Sequence, residues 1–254
     1  QWSSSAASDV YKRQELGRLE KAESSYVQAL ALKPDFAEAH NNLGNTLKEL
    51  GRLEEAEASY SQALALKPDF AEAHNNLGNT LKEQGRLEKA ESSYAQALAL
   101  KPDFAEAHNN LSVTFQELGR LEEAIASCTQ AIASKPDFTD AFVNLGLCIK
   151  NVRFKSSNPK LYTLLIGLLR TGNFARPADL APGILSLLKH DPLIKDLLRA
   201  KNVAMSLKEA TSIIGSLHKF PVLHHLMRLC RLPDLELEEF FVAFRRFFLT
   251  NLAK

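Results

Sequence analysis

Residues 71–104 read AEAHNNLGNTLKEQGRLEKAESSYAQALALKPDF, and the preceding residues, 37–70, differ from them at only four positions. The same template continues with more substitutions through residues 105–138, and residues 139–150 supply a further half unit. Glycines recur at positions 17, 51, 85 and 119, and prolines at 34, 68, 102 and 136, always 34 residues apart. A fixed period of this length indicates a repeat architecture.

One unit of this template predicts two antiparallel helices. Asp69 and Glu72 have the Asp-x-x-Glu spacing that caps a helix N-terminus. The apolar residues that follow recur at helical spacing: Ala73, Leu77 and Leu81. We expect Gly85 to end the first helix in a left-handed conformation and Pro102 to end the second. Neither helix can bury its apolar face alone, so neighbouring hairpins must stack.

The unit resembles the tetratricopeptide repeat. That family has Leu and Gly in its first helix, Ala, an aromatic residue and Ala in its second, and Pro after it. The corresponding residues here are Leu77, Gly78, Ala90, Tyr94, Ala97 and Pro102. The resemblance covers residues 15–150 and implies an all-α fold, a right-handed superhelix (α-solenoid) of helical hairpins.

Three parts of the chain are expected. Residues 1–14 match the template almost nowhere, and we expect a non-native or disordered segment there, with a degenerate capping helix as the alternative. The repeat domain spans residues 15–152, with half repeats at 15–36 and 139–152 and full repeats at 37–70, 71–104 and 105–138. Residues 153–254 lose the period but keep helical spacing, which predicts an irregular, all-helical connector. Its helices are expected at 159–170, 177–190, 192–200, 206–218, 221–230 and 235–252.

The charge balance separates these parts. The chain has 31 Lys and Arg against 30 Asp and Glu, but residues 1–150 hold 15 against 22 and the remainder is basic. The basic charges are scattered without interleaved aromatic residues, so a solvated helical surface is a better interpretation than a nucleic-acid interface. The longest apolar stretch is too short to cross a bilayer. We therefore expect no nucleic-acid or membrane partner and a cytoplasmic location; the oligomeric state stays open.

No pattern for catalysis or cofactor binding is found. The sequence has no phosphate-binding glycine loop and no Gly-x-Ser-x-Gly nucleophile turn. His40, His74 and His108 recur once per unit, and packed helices would hold them roughly 10 Å apart, too far to share one zinc ion. Partly buried histidines between helices are the simpler interpretation. We expect no enzymatic activity, cofactor or metal in this chain.

Asparagines are the most informative polar residues. They occupy one place in every unit: Asn42, Asn76, Asn110 and Asn144. Others flank them at Asn41, Asn75 and Asn109, and one turn later at Asn45 and Asn79. Asparagine in a helix interior costs roughly 0.7 kcal/mol relative to alanine, so its repetition needs a reason. Recent duplication without selection at each position is one such reason.

A second reason comes from a narrower resemblance. The segment AEAHNNLGNTLKE and the segment KPDF that follows later in the unit resemble the repeats of O-linked N-acetylglucosamine transferases. They also resemble the repeats of bacterial proteins that continue into methyltransferase or glycosyltransferase domains. In this family the first helices line the concave surface, and the resemblance implies that the asparagines form a ladder that holds the backbone of an extended peptide. The amide suits this role because it both donates and accepts. Lys48, Lys82 and Lys150 would favour acidic peptide residues.

These expectations combine into one functional prediction. The chain is predicted to be a non-catalytic interaction scaffold whose partner is a protein segment, either an extended peptide or a helix. The alternative is the substrate-recruiting part of a larger transferase, acting with a nucleotide sugar or S-adenosylmethionine, whose catalytic domain is missing from this chain.

Overall fold

A computed structural model describes residues 4–158, 160–171, 176–192, 194–195 and 222–223. Every regular element in these ranges is helical. The helices are α1 (Ser4–Leu32), α2 (Ala37–Glu49), α3 (Leu53–Leu66), α4 (Ala71–Glu83), α5 (Leu87–Leu100), α6 (Ala105–Glu117), α7 (Leu121–Ser134), α8 (Thr139–Asn151), α9 (Lys160–Thr171) and α10 (Pro177–Leu188). The predicted all-α class, built from consecutive helical hairpins, is confirmed.

The chain divides into two compact units, residues 1–119 and 120–254. In the first unit, α2 pairs with α3 and α4 pairs with α5, while α1 packs on α2, α3 on α4 and α5 on α6. A representative core cluster contains Leu47, Ala56 and Tyr60, with Leu43 and Leu77 packed against it. In the second unit, α7 packs on α8 and α8 packs on α10.

Glycine ends the first helix of a hairpin as predicted. Gly85 has φ +75°, a conformation that a side chain would disfavour. Its N–H donates to the Lys82 carbonyl at 2.9 Å, and the next N–H, of Arg86, donates to the Leu81 carbonyl at 2.8 Å. These bonds satisfy carbonyls that the helix end leaves open. Gly51 and Gly119 share the positive φ.

The capping pattern predicted at the start of α4 is wrong, because Asp69 does not cap this helix. The Phe70 N–H donates to the Lys67 carbonyl at 3.2 Å, so Pro68 and Asp69 lie within a turn, and Phe70 is the N-cap residue of α4 without a side-chain cap bond. The turn moves the helix start one residue beyond the position at which Asp69 could cap it. Glu72 contributes instead as an acidic residue in the first turn, where the helix dipole favours it.

The N-terminal helix differs from the repeat template. Helix α1 runs without a break from Ser4 to Leu32 and so includes residues 4–14, where we expected a non-native or disordered segment. The half repeat 15–36 therefore lies largely within α1, and Gly17 does not adopt the positive φ of its counterparts. Helical structure at 4–14 agrees with the capping-helix alternative, while the origin of the segment stays a prediction.

Two helices of the second half lie where the sequence predicts them. Helices α9 and α10 match the expected ranges 159–170 and 177–190 closely. The expected helices 206–218 and 235–252, and most of 192–200 and 221–230, lie outside the described residues. Among the described helices, none combines the length and the apolar composition needed to cross a bilayer.

Candidate functional site

The asparagines of the first unit lie on the first helix of each hairpin and on α6. Asn41, Asn75 and Asn109 are buried, whereas Asn42, Asn76 and Asn110 are half-buried. Successive residues of a helix point about 100° apart. The first member of each pair therefore faces neighbouring helices, and the second lies at the margin between protein and solvent.

Hydrogen bonds between these side chains connect successive repeats. Asn76 Nδ2 donates to Asn41 Oδ1, and Asn110 Nδ2 donates to Asn75 Oδ1, both at 3.1 Å. Within α2, Asn41 Nδ2 donates to Asn42 Oδ1 at 3.3 Å. We call this set of bonds the asparagine ladder. It joins α2 to α4 and α4 to α6, a structural role that the sequence analysis missed.

The asparagines one turn later hold buried tyrosines. The Tyr60 hydroxyl donates to Asn45 Oδ1 at 2.8 Å, and the Tyr94 hydroxyl donates to Asn79 Oδ1 at 2.7 Å. Both tyrosines are fully buried, and burial raises the pKa of each hydroxyl. The hydroxyls therefore stay protonated and act as donors. The side-chain oxygen of each asparagine is thus used by a hydrogen bond within its own hairpin.

The tyrosine rings also explain the glycines of the first helices. A Cβ placed on Gly78 would lie 2.6 Å from Tyr94 Cε1, and one on Gly44 would lie 2.7 Å from Tyr60 Cε1. Only a residue without a side chain permits this approach of ring to helix. The glycine, the tyrosine and the asparagine thus form one packing unit in each of these two hairpins.

The asparagine side-chain atoms that these bonds leave open are acceptors at some positions and donors at others. Asn76 and Asn110 have used a donor in the ladder and keep Oδ1, while Asn45 and Asn79 have used Oδ1 and keep Nδ2. In the described part of the chain these remaining atoms make no side-chain hydrogen bond. On α4, residues 76 and 79 are helical neighbours, about 5–6 Å apart at Cβ. One open acceptor and one open donor therefore lie side by side on this helix.

The predicted lysines differ in their pairing. Lys48 Nζ lies 3.5 Å from Glu83 Oε1, and Lys150 Nζ lies 3.8 Å from Asp179 Oδ2 in the second unit. Lys82, half-buried on α4, has no ion-pair partner among the described residues. Of the two predicted lysines in the first unit, Lys82 is therefore the one whose charge is not paired within the described residues. The remaining predicted site residue, Asn144, is half-buried on α8 in the second unit.

The recurring histidines stabilise the turns between repeats. The Nε2 atoms of His40, His74 and His108 lie 2.9–3.0 Å from the carbonyl oxygens of Pro34, Pro68 and Pro102, respectively. Because a carbonyl only accepts, Nε2 carries the proton. Each histidine thus fastens the turn that precedes its own helix. No group of three potential metal ligands occurs within the described residues.

The KPDF segments make a second set of links around these turns. Lys67 Nζ lies 4.7 Å from the centre of the Phe70 ring and 3.0 Å from Glu38 Oε1 on the preceding first helix. The pair raises the pKa of Lys67 and lowers that of Glu38. The Lys101–Phe104 and Lys101–Glu72 contacts repeat the arrangement one unit later. Each of these lysine–acid pairs thus joins the KPDF segment at the end of a unit to the first helix of the same unit at the protein surface.

Comparison with known proteins agrees with this architecture. A family model described as TPR repeat matches residues 13–51 and 44–85, and one described as Tetratricopeptide repeat matches residues 75–138. No curated protein matches the chain significantly.

Solved structures with similar folds include two crystal structures of MamA. One is 23% identical with a TM-score of 0.52 and covers 75% of this chain and 95% of its own. The other is 20% identical with a TM-score of 0.51 and covers 77% and 92%, respectively. The first TPR of Spaghetti (RPAP3), bound to an HSP90 peptide, is 21% identical with a TM-score of 0.43 over 44% of this chain and 89% of its own. At these identities the likeness concerns the fold alone.

Proposed function

Residues 13–138 of this chain consist of tetratricopeptide repeats, and from this premise we propose that the chain is a non-catalytic scaffold that binds a segment of another protein. The binding face is formed by α2, α4 and α6, and the ligand is an extended peptide. The observation that carries the proposal is the row of open side-chain atoms on these helices, Asn76 Oδ1 and Asn110 Oδ1 as acceptors with Asn45 Nδ2 and Asn79 Nδ2 as donors.

Open acceptors and donors in alternation suit a peptide backbone. Every non-proline residue of a peptide offers one N–H and one C=O, whatever its side chain. Packed helices lie 8–10 Å apart, and an extended chain rises about 3.3 Å per residue. Successive repeats would therefore meet the ligand at roughly every third residue. Lys82 would add a preference for an acidic side chain near α4.

The alternative, the recruiting part of a larger glycosyltransferase or methyltransferase, draws no support from the comparisons. The matches concern the repeats and the fold. The resemblance of the repeats to those of O-linked N-acetylglucosamine transferases stays an inference from sequence, as does the cytoplasmic location. Purified chain incubated with UDP-N-acetylglucosamine or S-adenosylmethionine and a protein acceptor should transfer neither group, and measurable turnover would overturn the non-catalytic proposal.

Peptide selection tests the binding face directly. A displayed library of random twelve-residue peptides is selected on the immobilised chain, and enriched peptides are titrated in fluorescence anisotropy. We expect the triple variant Asn42→Ala, Asn76→Ala, Asn110→Ala to bind an enriched peptide about tenfold more weakly or worse. His74→Ala is the matched control, because it removes a hydrogen bond at a turn rather than on the face. Unchanged affinity in the triple variant, or no enrichment at all, would contradict the proposal.

A further inference from the structure

Two of the chain's three cysteines meet inside the second unit. Cys128 on α7 and Cys148 on α8 are both 0% exposed, and these two helices pack against each other. The Cys148 thiol donates a hydrogen bond to the sulfur of Cys128. Neither helix belongs to the binding face formed by α2, α4 and α6.

The repeat places this thiol contact at the junction of two successive hairpins. Counting one repeat back from the two cysteines leads to Tyr94 on α5 and Thr114 on α6. Those two side chains also contact each other, and the same contact occurs one unit earlier. At the junction of α7 and α8 both positions have become cysteine together, although the chain contains only one other cysteine. A tyrosine–threonine contact is thus replaced by a contact between two thiols.

We propose that Cys128 and Cys148 form a reversible redox site, at which a peroxide oxidises the two thiols to a disulfide that joins α7 covalently to α8. The sulfur atoms are already in contact, so small changes in side-chain rotamer and helix spacing bring them to bonding distance. The disulfide is uncharged and so avoids the cost of a buried thiolate. A zinc site would need three or four protein ligands, and no third ligand joins the two cysteines within the described residues.

The reaction balances with hydrogen peroxide as the oxidant. The Cys128 thiol loses its proton, and its sulfur attacks a peroxide oxygen, which breaks the O–O bond, forms a sulfenic acid and releases hydroxide. The Cys148 sulfur then attacks the sulfenic sulfur, the S–O bond breaks, and the hydroxyl leaves with the Cys148 proton as water. The released hydroxide takes up the first proton. Two thiols and one peroxide thus give one disulfide and two molecules of water.

Burial determines when this reaction occurs. The hydrogen bond to Cys128 and burial both raise the pKa of the Cys148 thiol, and the thiolate is the reactive form of cysteine. For this reason Cys128 makes the first attack. Because neither thiol is exposed to solvent, oxidation requires a transient separation of α7 and α8. The disulfide therefore forms slowly in the closed fold and faster under conditions that open this junction.

The test uses the full chain with Cys230→Ser, so that Cys128 and Cys148 supply the only thiols. The reduced protein is incubated with hydrogen peroxide just below its melting temperature, and free thiols are then counted under denaturing conditions with dithiobis(nitrobenzoate). We expect both thiols to disappear together, with a mass loss of two hydrogen atoms and no dimer on a non-reducing gel. Dithiothreitol should restore both. The oxidised protein should melt about 5 °C higher or more, because the cross-link closes a loop between the helices.

A matched control moves one thiol by a single helix position. The variant Ser127→Cys, Cys128→Ser in the same background keeps two cysteines, but successive residues of a helix point about 100° apart. The new thiol therefore no longer faces Cys148. Ser127 is itself buried at 8% exposure, so the two positions are comparably protected from solvent. We expect no intramolecular disulfide in this variant, and circular dichroism checks that it keeps its helical content.

Several outcomes would overturn the proposal. They are the persistence of both free thiols after prolonged peroxide treatment, equal disulfide formation in the matched control, and oxidation to sulfinic acid without a cross-link. If the control loses its helical content, Cys148→Ser takes its place. It should gain no melting temperature on peroxide treatment, and a gain equal to that of the parent chain would exclude the disulfide as the cause. None of these results bears on peptide binding at the asparagines, which lie on other helices.

Discussion

Asn76 on α4 donates its side-chain amide to Asn41 Oδ1 on α2 at 3.1 Å, so a residue of the candidate binding face also joins two repeats. This double role affects how any substitution there is interpreted. An alanine at position 76 removes an open acceptor from the face and, at the same time, leaves the buried oxygen of Asn41 without its donor. Affinity and stability have to be measured together.

Two asparagines of the ladder, Asn76 and Asn42, should differ in their effect on stability. Asn76→Ala is expected to lower the free energy of unfolding by about 1–2 kcal/mol, because a buried acceptor loses its partner. Asn42→Ala should cost less, since Asn42 only accepts a longer bond of 3.3 Å from its neighbour. Urea denaturation followed by circular dichroism measures both. Equal losses of unfolding free energy in the two variants would mean that the bond between Asn76 and Asn41 stabilises the fold no more than the bond within α2 does.

Asn79 is expected to matter for folding through Tyr94. Asn79→Val leaves the Tyr94 hydroxyl without the acceptor that lies at 2.7 Å, and we expect a loss of about 1–3 kcal/mol. Adding Tyr94→Phe should restore much of that loss, because a hydroxyl that is absent needs no partner. The unfolding free energies of Asn79→Val and of the double variant with Tyr94→Phe test this expectation. If the double variant is the less stable of the two, Asn79 does not act through the tyrosine.

Gly78 and Tyr94 should behave as a coupled pair. A Cβ at position 78 would overlap the ring, so Gly78→Ser is expected to cost about 1–3 kcal/mol. In a Tyr94→Cys background the same change should cost much less, since the ring is gone. The third unit has Ser112 and Cys128 at the corresponding positions, a natural form of the double change. A double-mutant cycle with a coupling energy near zero would refute the packing argument.

The hairpins could be predicted from sequence because their turns depend on single residues. Gly85 needs a positive φ and Pro68 fixes a turn, and such requirements recur visibly every 34 residues. The hydrogen-bond partners of the asparagine side chains could not be predicted. Asn76 and Asn41 are 35 residues apart, one more than the period, and the stacking offset that pairs them is a property of two packed repeats. The pattern within one unit does not distinguish Asn41 from Asn42 as the partner.

The course of α1 could not be predicted for a different reason. A repeat template predicts structure only where the sequence follows it, and residues 1–14 do not. The exposure of Tyr26 depends on whether a helix folds back over it, which the sequence of α1 does not reveal. A residue that is identical in pattern to Tyr60 and Tyr94 thus has a different environment.

Residues 1–14 should be dispensable for the repeat fold. The helix continues through them, but they lie at the end of α1 and precede the first residues that follow the template. A chain beginning at Glu15 is expected to keep its far-ultraviolet circular dichroism per residue and to melt within a few degrees of the full chain, about what a fraction of a kcal/mol produces. A large drop in melting temperature would show that the segment supports the fold and was misassigned.

Two glycines at equivalent positions should respond in opposite directions to the same substitution. Gly85 has φ +75° with nothing near its Cβ position, so Gly85→Ala strains the backbone without a steric clash and should lower stability by about 1 kcal/mol or more. Gly17 lies within α1 without a positive φ and also has open space around it. Gly17→Ala should therefore raise stability by roughly 0.5–1 kcal/mol, because alanine is the better helix former. Thermal or urea unfolding of the two variants measures the contrast. A stability loss for Gly17→Ala as large as that for Gly85→Ala would mean that α1 is broken at Gly17 in solution, as the repeat template predicts.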